Sequence, residues 1–301
     1  MAEGLANVVE PGQPERLATG FEFTEGPLWH SDGYWLFVDI RRNLVHSLAP
    51  GGEVQIVRQD SGGSNGLTFD LQGRLLMCEG ENRRVVRREA DGSYKPVAER
   101  VGNKRLNRPN DVVCRSDGSI YFTDPSGRLP PEERELDYSA VHRISPNGSS
   151  TVATTGTEYP NGLAFSPDER ILYVAITRLD ERCFGEKERG EVCRHQQIRA
   201  FDVAADGTLS NNRVFAEMFS AEDGVPDGMK VDVEGRVYCT GPGGCWVFDA
   251  GGNRLGIIHL PEIPANCGWG GPDNRTMLFT AHTSVYSMRM KTPGTRVPRA
   301  G

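Results

Sequence analysis

The sequence lacks any apolar run long enough to cross a membrane, which takes about 18 or more consecutive residues. Its first residues also lack a cationic segment followed by an apolar run, so we expect no secretory signal peptide. No basic block stands out, and the formal net charge is −7, which argues against nucleic acid or an anionic membrane as a partner. These absences together predict a cytoplasmic protein.

Cysteine is scarce, and its spacing does not indicate a structural zinc site. The seven cysteines are scattered and odd in number, and no C-x-x-C pair occurs. Most of them should be buried thiols, as is usual in cytosolic proteins. Cys183 and Cys193 lie in one polar stretch and could pair under oxidising conditions.

Glycine and proline, by contrast, are abundant, with 36 and 19 residues spread along the chain. Turn-forming residues at such regular intervals favour many short strands over long helices. All-β architectures of 301 residues are often one domain. We therefore expect a single domain over residues 1–301, ordered over about 14–291, with a flexible tail over 292–301.

One phrase recurs along the chain. Tyr159-Pro160-Asn161-Gly162-Leu163 is typical of a Pro-Asn-Gly turn that leads into a strand. Related phrases place an oxygen-bearing side chain just before a short β-run at Glu25, Asn65, Asn110 and Asp227. Six units start at intervals of 40 to 66 residues, marked by Gly26, Gly66, Asp111, Gly162, Gly228 and Gly268.

Each unit continues in the same order, with a strand, a polar turn and a second strand. The second strands are predicted at 35–38, 75–78, 120–123, 172–175, 236–239 and 277–280. Units of about 40–50 residues with four short strands are the signature of a propeller blade. We predict an all-β, six-bladed β-propeller with four-stranded blades. The last unit is a strand short, so residues 14–21 should supply that strand and close the ring.

The recurring side chains predict a cation site. In a propeller the innermost strands line a central channel, so the entrances of equivalent strands meet near one axis. Carboxylates and carboxamides are hard oxygen donors that suit Ca²⁺ or a similar divalent cation. Asn and Asp also serve turns for local reasons, but Glu25 has no such preference, and the repeated register favours the metal site.

With these motifs in place, the chain resembles the senescence marker protein / gluconolactonase / luciferin-regenerating enzyme family over residues 17–290. The motifs that carry the resemblance are Glu25-Gly26-Pro27, Arg108-Pro109-Asn110-Asp111, Phe122-Thr123-Asp124-Pro125, Pro160-Asn161-Gly162-Leu163 and Pro226-Asp227-Gly228-Met229. They are specific in this order and combination, not singly. Pro264-Ala265-Asn266-Cys267 is similar to the bacterial gluconolactonase branch.

The resemblance implies a six-bladed propeller with one catalytic divalent metal, Ca²⁺ first, with Zn²⁺, Mg²⁺ and Mn²⁺ as alternatives. It implies that Glu25, Asn161 and Asp227 carry the metal and that Asp227 is the candidate base. It also implies that Arg108 and Asn110 contact a small-molecule substrate, with Asn110 as a candidate fourth ligand. A metal would polarise a lactone carbonyl and stabilise the oxyanion. The leading prediction is thus a metal-dependent lactonase.

Two alternatives stay open from the sequence. The same metal platform could support phosphotriester hydrolysis, hydration or isomerisation, since function depends on the pocket. A non-catalytic binding propeller is the other, although it has no need of the Glu/Asn/Asp set. We expect no nucleophile elbow of the Gly-x-Ser-x-Gly type, so a serine hydrolase has no support.

Several residues outside the motifs have open roles. His282 follows an inner strand of the last unit and could point into the channel, whereas the other five histidines are expected to be structural. Trp246 and Trp269 are expected in the core near the channel end. Two charged insertions, 127–137 and 178–197, interrupt the repeat as surface loops or as walls of a pocket, and the second is predicted at the rim on the site's face.

Overall fold

The structure is a computed structural model that describes residues 4–177 and 196–298. Its strands form six four-stranded antiparallel sheets, so the predicted six-bladed propeller is confirmed. Blade 1 comprises Thr24–His30, Tyr34–Asp39, Leu44–Leu48 and Val54–Arg58. Blade 2 comprises Ser64–Phe69, Leu75–Glu79, Arg84–Arg88 and Tyr94–Ala98. Blade 3 comprises Val112–Cys114, Ile120–Asp124, Ala140–Ile144 and Ser150–Thr154.

Blades 4 to 6 follow in the same order from the channel outward. Blade 4 comprises Pro160–Phe165, Ile171–Ile176, Gln197–Val203 and Leu209–Glu217. Blade 5 comprises Met229–Val231, Val237–Gly241, Gly244–Phe248 and Arg254–Ile258. Blade 6 comprises Pro264–Gly270, Thr276–Ala281, Ser284–Arg289 and Glu15–Thr19. The last strand of blade 6 therefore comes from the N-terminus. Glu15–Thr19 pairs antiparallel with Ser284–Arg289, which confirms the predicted closure of the ring.

The outermost strand is the least buried strand of each blade. The second strand of blade 2, Leu75–Glu79, is buried at every position, because neighbouring blades cover both of its faces. The outermost strand of blade 1, Val54–Arg58, has no buried residue. Apolar clusters fill the space between adjacent blades, and one joins Trp35 and Phe37 of blade 1 to Leu278 and Val285 of blade 6.

The innermost strands form a closed ring. The first strand of each blade contacts the first strand of the next, and the first strand of blade 6 contacts that of blade 1. All six enter from the same end of the ring, which we call the entry face. Because side chains at equivalent positions then share one level of the channel, the fold itself gathers residues that are distant in sequence.

Little of the described chain lies outside the blades. Three short 3₁₀ turns, Leu5–Asn7, Ser126–Arg128 and Pro131–Glu133, and a small hairpin of Arg100–Val101 with Lys104–Arg105 complete the elements. Within residues 4–177 and 196–298 there is no α-helix, and no helix there could span a bilayer.

Most of the predicted flexible tail lies within the described residues. Residues 292–298 run across the end of the channel opposite the entry face, which we call the far mouth. Thr295 donates its N–H to Val231 O at 3.0 Å, and Gly294 donates to Asn274 O at 3.0 Å. Val297 packs against the apolar cluster that contains Leu28. The segment is irregular but closes the far mouth through hydrogen bonds to blades 5 and 6.

Candidate metal and substrate site

The recurring phrase lies inside the innermost strands, not in turns before them. Pro160–Phe165 is strand throughout, so the predicted Pro-Asn-Gly turn is wrong. In four blades, the pairing of the first strand with the second strand shifts register at this level. One or two residues of the first strand are left unpaired there. The shifts fall between Glu25 and Leu28, Ser64 and Leu67, Pro160 and Leu163, and Pro264 and Asn266. Such β-bulges re-aim side chains and are frequent beside active sites.

The glycines of the phrase are required by close packing of neighbouring inner strands. A Cβ on Gly162 would lie 2.2 Å from Asp227 O, and one on Gly228 would lie 2.0 Å from Asn266 Cγ. Gly162 also donates its N–H to Asp227 O at 3.0 Å, and Gly228 donates to Ala265 O at 2.8 Å. These contacts link blades 4, 5 and 6 at the level of Asn161 and Asp227.

Glu25 is a buried carboxylate at this level, with 2 % of its surface exposed. Its Oε2 accepts the Gly26 N–H and the Asn266 side-chain amide, each at 2.8 Å. The second bond joins blade 6 to blade 1 and completes the connection from Asn161 to Glu25 around half of the ring. Blades 4, 5, 6 and 1 therefore place the three predicted metal ligands at one level.

Asn161 is held in a defined orientation. Its amide nitrogen donates to Thr177 Oγ1 at 3.0 Å, and that hydroxyl donates to Pro226 O at 2.6 Å. The amide oxygen of Asn161 is thereby turned away from Thr177. Asp227, next to Pro226, is partly exposed and donates its backbone N–H to Thr240 O at 3.0 Å, so its carboxylate stands on a fixed backbone at the entry face.

The opposite side of the ring carries buried polar atoms that lack hydrogen bonds. Among the residues that the structure describes, Asn65 Oδ1 is a buried acceptor and Asn110 Nδ2 a buried donor without a hydrogen-bond partner. Asp111 Oδ2 is a further buried acceptor, on a carboxylate that the Asn266 amide faces. Burial raises the pKa of Asp111, against the opposing effects of Lys230, the Val112 N–H and the Asn266 amide. Buried polar atoms are nearly always satisfied, so these acceptors indicate a level of the channel built to receive a polar or charged group.

Arg108 lies on a loop that is anchored to blade 3. The preceding residue, Asn107, donates its N–H to Asp124 Oδ2 at 2.8 Å and its amide to Tyr138 O at 3.0 Å. Asp124 is fully buried and is also 3.3 Å from His142 Nε2. Arg108 itself is partly exposed. The Phe-Thr-Asp-Pro motif therefore fixes the loop that carries both Arg108 and Asn110.

The insertion at 127–137 also belongs to the entry face, since it connects Ile120–Asp124 to Ala140–Ile144 at that end of blade 3. It packs down through buried Leu129 and Leu136, and Glu133 O accepts a hydrogen bond from Arg83 at 3.1 Å. The insertion predicted at 178–197 lies outside the described residues except for its last two. Its flanking strands end at Ile176 and begin at Gln197, which pair with each other.

The histidines differ in exposure, whereas the two tryptophans of interest are both buried. His282 is exposed on the entry face and packs against Phe23 with ring centroids 5.1 Å apart. His46 and His142 are buried, as are Trp246 and Trp269, which supports a packing role for both tryptophans. Cys183, Cys193 and His195 lie outside the described residues.

One motif needed structural context to be interpreted. Gly62-Gly63-Ser64-Asn65-Gly66 matches the Gly-x-Ser-x-Gly pattern of serine hydrolases. That pattern acts at an exposed turn between a strand and a helix, whereas Ser64 is buried at the start of a propeller strand. Its hydroxyl donates to Ser61 O at 2.6 Å. The expectation that the chain lacks this pattern is therefore wrong, but Ser64 does not form a nucleophile elbow.

The donor set fits a hard divalent cation. Within residues 4–177 and 196–298, no three His, Cys, Asp or Glu side chains come together as a metal cluster. Among the described residues, a cation at the entry face would therefore need amide oxygens beside carboxylates, and the predicted ligands Glu25, Asn161 and Asp227 offer both kinds. Mixed carboxylate and amide oxygens are the ligands that Ca²⁺ prefers, and the oriented Asn161 amide is consistent with that chemistry.

One residue of the site, Asn266, was missed by sequence reasoning. The sixth unit was expected to start at Gly268, but Gly228 bonds to Ala265 O, so Asn266 occupies the equivalent position. Asn266 pairs with Thr280, just as Asp111 bonds to Thr123 and Gly228 to Thr240. A threonine opposite the phrase on the second strand was the signal that could have identified Asn266.

Six blades around a channel, with two carboxylates and several carboxamides gathered at one end, define a β-propeller with an oxygen-rich axial site. The chain belongs to the SMP-30/Gluconolactonase/LRE-like family, whose model matches residues 23–283. The family resemblance inferred from the motifs is thereby confirmed.

Individual relatives match over most of their length. A gluconolactonase of Zymomonas mobilis is 29% identical over 93% of this chain and 82% of its own. A pentonolactonase of Haloferax volcanii is 30% identical over 87% of this chain and 82% of its own. Among solved structures, a gluconolactonase of Xanthomonas campestris superposes with a TM-score of 0.84 at 31% identity, covering 96% of this chain and 93% of that one.

Proposed function

We propose that the protein is a divalent-metal-dependent lactonase that opens sugar lactones at the entry face of the channel. The observation that carries this proposal is the connected level of Glu25, Asn161 and Asp227, linked through blades 1, 6, 5 and 4. Membership of a family that includes a gluconolactonase and a pentonolactonase supports a sugar lactone as the small-molecule substrate.

Glu25, Asn161 and Asp227 would hold the metal, with Asn110 as a candidate fourth ligand. Two carboxylates and neutral amides favour Ca²⁺, since hard cations select oxygen ligands. When bound, the metal would polarise the lactone carbonyl and stabilise negative charge on its oxygen.

Other tasks fall to the chain's own side chains. Asp227 is partly exposed, so its carboxylate can meet a water molecule at the entry face and act as the general base. Arg108, on its anchored loop, offers fixed guanidinium donors to a hydroxyl or carbonyl of the substrate. The Asp124–Asn107 hydrogen bond keeps that loop in place, which lowers the cost of orienting the substrate.

A lactone panel followed by proton release tests the proposal. The panel should contain aldonolactones with five and six carbons and unsubstituted lactones of the same ring sizes. Turnover of the sugar lactones should exceed the heat-inactivated control, disappear in chelator, and return with added Ca²⁺. Turnover that is indifferent to chelator and metal would contradict metal dependence. No turnover of any lactone would contradict the lactonase assignment itself.

A further inference from the structure

Asn266 occupies a position in blade 6 at which a smaller residue suffices elsewhere. The equivalent residue of blade 5 is Gly228, opposite Thr240, whereas Asn266 lies opposite Thr280. Asn266 is buried, with 3 % of its surface exposed. Asp111 is the equivalent residue of blade 3, and its Oδ1 accepts the following N–H, of Val112, at 2.8 Å. Asn266 makes the same local bond, but its amide nitrogen is a donor that Asp111 lacks.

The orientation of the Asn266 amide is fixed by the Cys267 N–H and by Glu25, and the amide nitrogen also faces the Asp111 carboxylate. Asn266 Oδ1 accepts the Cys267 N–H at 2.8 Å, and Asn266 Nδ2 donates to Glu25 Oε2 at 2.8 Å. A flipped amide would set two donors against each other at Cys267 and two acceptors against each other at Glu25. Asn266 is therefore a donor to Glu25 and is not itself available there as an oxygen ligand.

This bond distinguishes the two oxygens of Glu25. Oε2 already accepts the Gly26 N–H at 2.8 Å, and a carboxylate oxygen has about two lone pairs to offer. With the Asn266 bond as well, both lone pairs of Oε2 are used by N–H donors of the protein. Cation binding through Oε2 would have to break one of two buried, charge-assisted hydrogen bonds, which are stronger than neutral ones.

We propose that Asn266 is a positioning residue that fixes the Glu25 carboxylate and keeps its Oε2 from binding the metal. The inference rests on the proposed function, because it assumes that the entry-face site binds a divalent cation. Hydrogen bonds that orient ligating carboxylates typically change metal affinity by about 10–100-fold when removed. Asn266 would act through Glu25, without contact with the substrate.

Calcium titration by calorimetry tests this role without relying on activity. Asn266→Ala removes the donor, and Asn266→Gly does so with the residue type that the ring accommodates at Gly228. Both should weaken Ca²⁺ binding about 10–100-fold. Thr280→Val is the matched control, since Thr280 Oγ1 donates to Asn266 O at 3.4 Å but does not touch Glu25, and it should leave affinity unchanged. Melting temperatures in chelator report any purely structural loss.

The outcomes separate the two proposals. Wild-type affinity in Asn266→Ala and Asn266→Gly, with lower melting temperatures only, would show that Asn266 merely supports packing and would overturn this inference. Wild-type protein that binds neither Ca²⁺ nor any other divalent cation would overturn the proposed metal dependence together with it. An infrared carboxylate signature of bidentate binding, lost in Glu25→Gln, would show that Oε2 binds the metal and would overturn this inference.

Discussion

The amide nitrogen of Asn161 donates to the hydroxyl of Thr177 at 3.0 Å, and the same hydroxyl donates to Pro226 O at 2.6 Å. One buried threonine thus orients a predicted ligand of blade 4 and ties it to the residue before Asp227. Thr177→Val should remove both bonds and weaken Ca²⁺ binding by about tenfold or more. Thr177→Ser keeps the hydroxyl and should stay near wild type in the same calorimetric titration. Equal affinity in Thr177→Val would show that Asn161 needs no such support.

The carboxylates of Glu25 and Asp227 should each be required for metal binding. Glu25→Gln and Asp227→Asn remove a charged ligand to a hard cation, so both should lose bound metal and lactone turnover. Asn161→Ala should have a weaker effect, because a neutral amide contributes less. Metal content by elemental analysis and turnover of the best lactone measure the two losses. Retained metal and full turnover in both charge-neutral variants would place the site elsewhere.

Arg108 should affect substrate and not metal. Arg108→Ala removes fixed donors from the entry face, so KM should rise or kcat/KM should fall while metal content stays the same. Arg108→Lys keeps the charge but not the planar fork of donors and should restore only part of the activity. If Arg108→Ala instead fails to fold, as judged by circular dichroism, its role is to support the Asn110 loop.

The repeat predicted the propeller because blade architecture is local. Each unit needs the same turns and the same alternation, so intervals of 40 to 66 residues revealed six blades and the missing outer strand. The phrase itself was misread as a turn because Asn-Gly is a strong turn signal. At Gly162 the glycine is needed for the close approach of Asp227 O, a tertiary contact that no local pattern encodes.

The same limit explains the residue that was missed. Asn266 follows an alanine, whereas the other phrases carry Asn, Asp or Glu at that place. The start of the sixth unit was therefore assigned two residues too late, at Gly268. Its bond to Glu25 spans 241 positions and depends on closure of the ring. The site's predicted side chains, by contrast, each sit at the same place in a repeated unit, which made their convergence predictable.

The C-terminal segment was expected to be flexible because the last residues of a domain are often poorly ordered unless they are tied down. Its backbone groups are nevertheless satisfied by long-range partners, such as Val231 O for Thr295. Gly294 lies against the indole of Trp269, where an added Cβ would be 1.9 Å from Cγ. The far mouth is therefore closed by contacts that tolerate only glycine at this point.

Gly294→Ala should destabilise the fold without changing the site. Placing an extra methyl group in a closely packed contact costs about 1–3 kcal/mol of folding free energy. For a protein of this size, that loss corresponds to a fall in Tm of about 2–10 °C. Calorimetry of the metal-free protein should show that fall, while Ca²⁺ affinity and kcat stay at wild-type values because the segment lies at the other end of the channel. Gly251→Ala is the control, since its Cβ would meet nothing closer than 3.3 Å. An unchanged Tm in Gly294→Ala would show that the segment does not press on Trp269 in solution and that the far mouth is not closed by it.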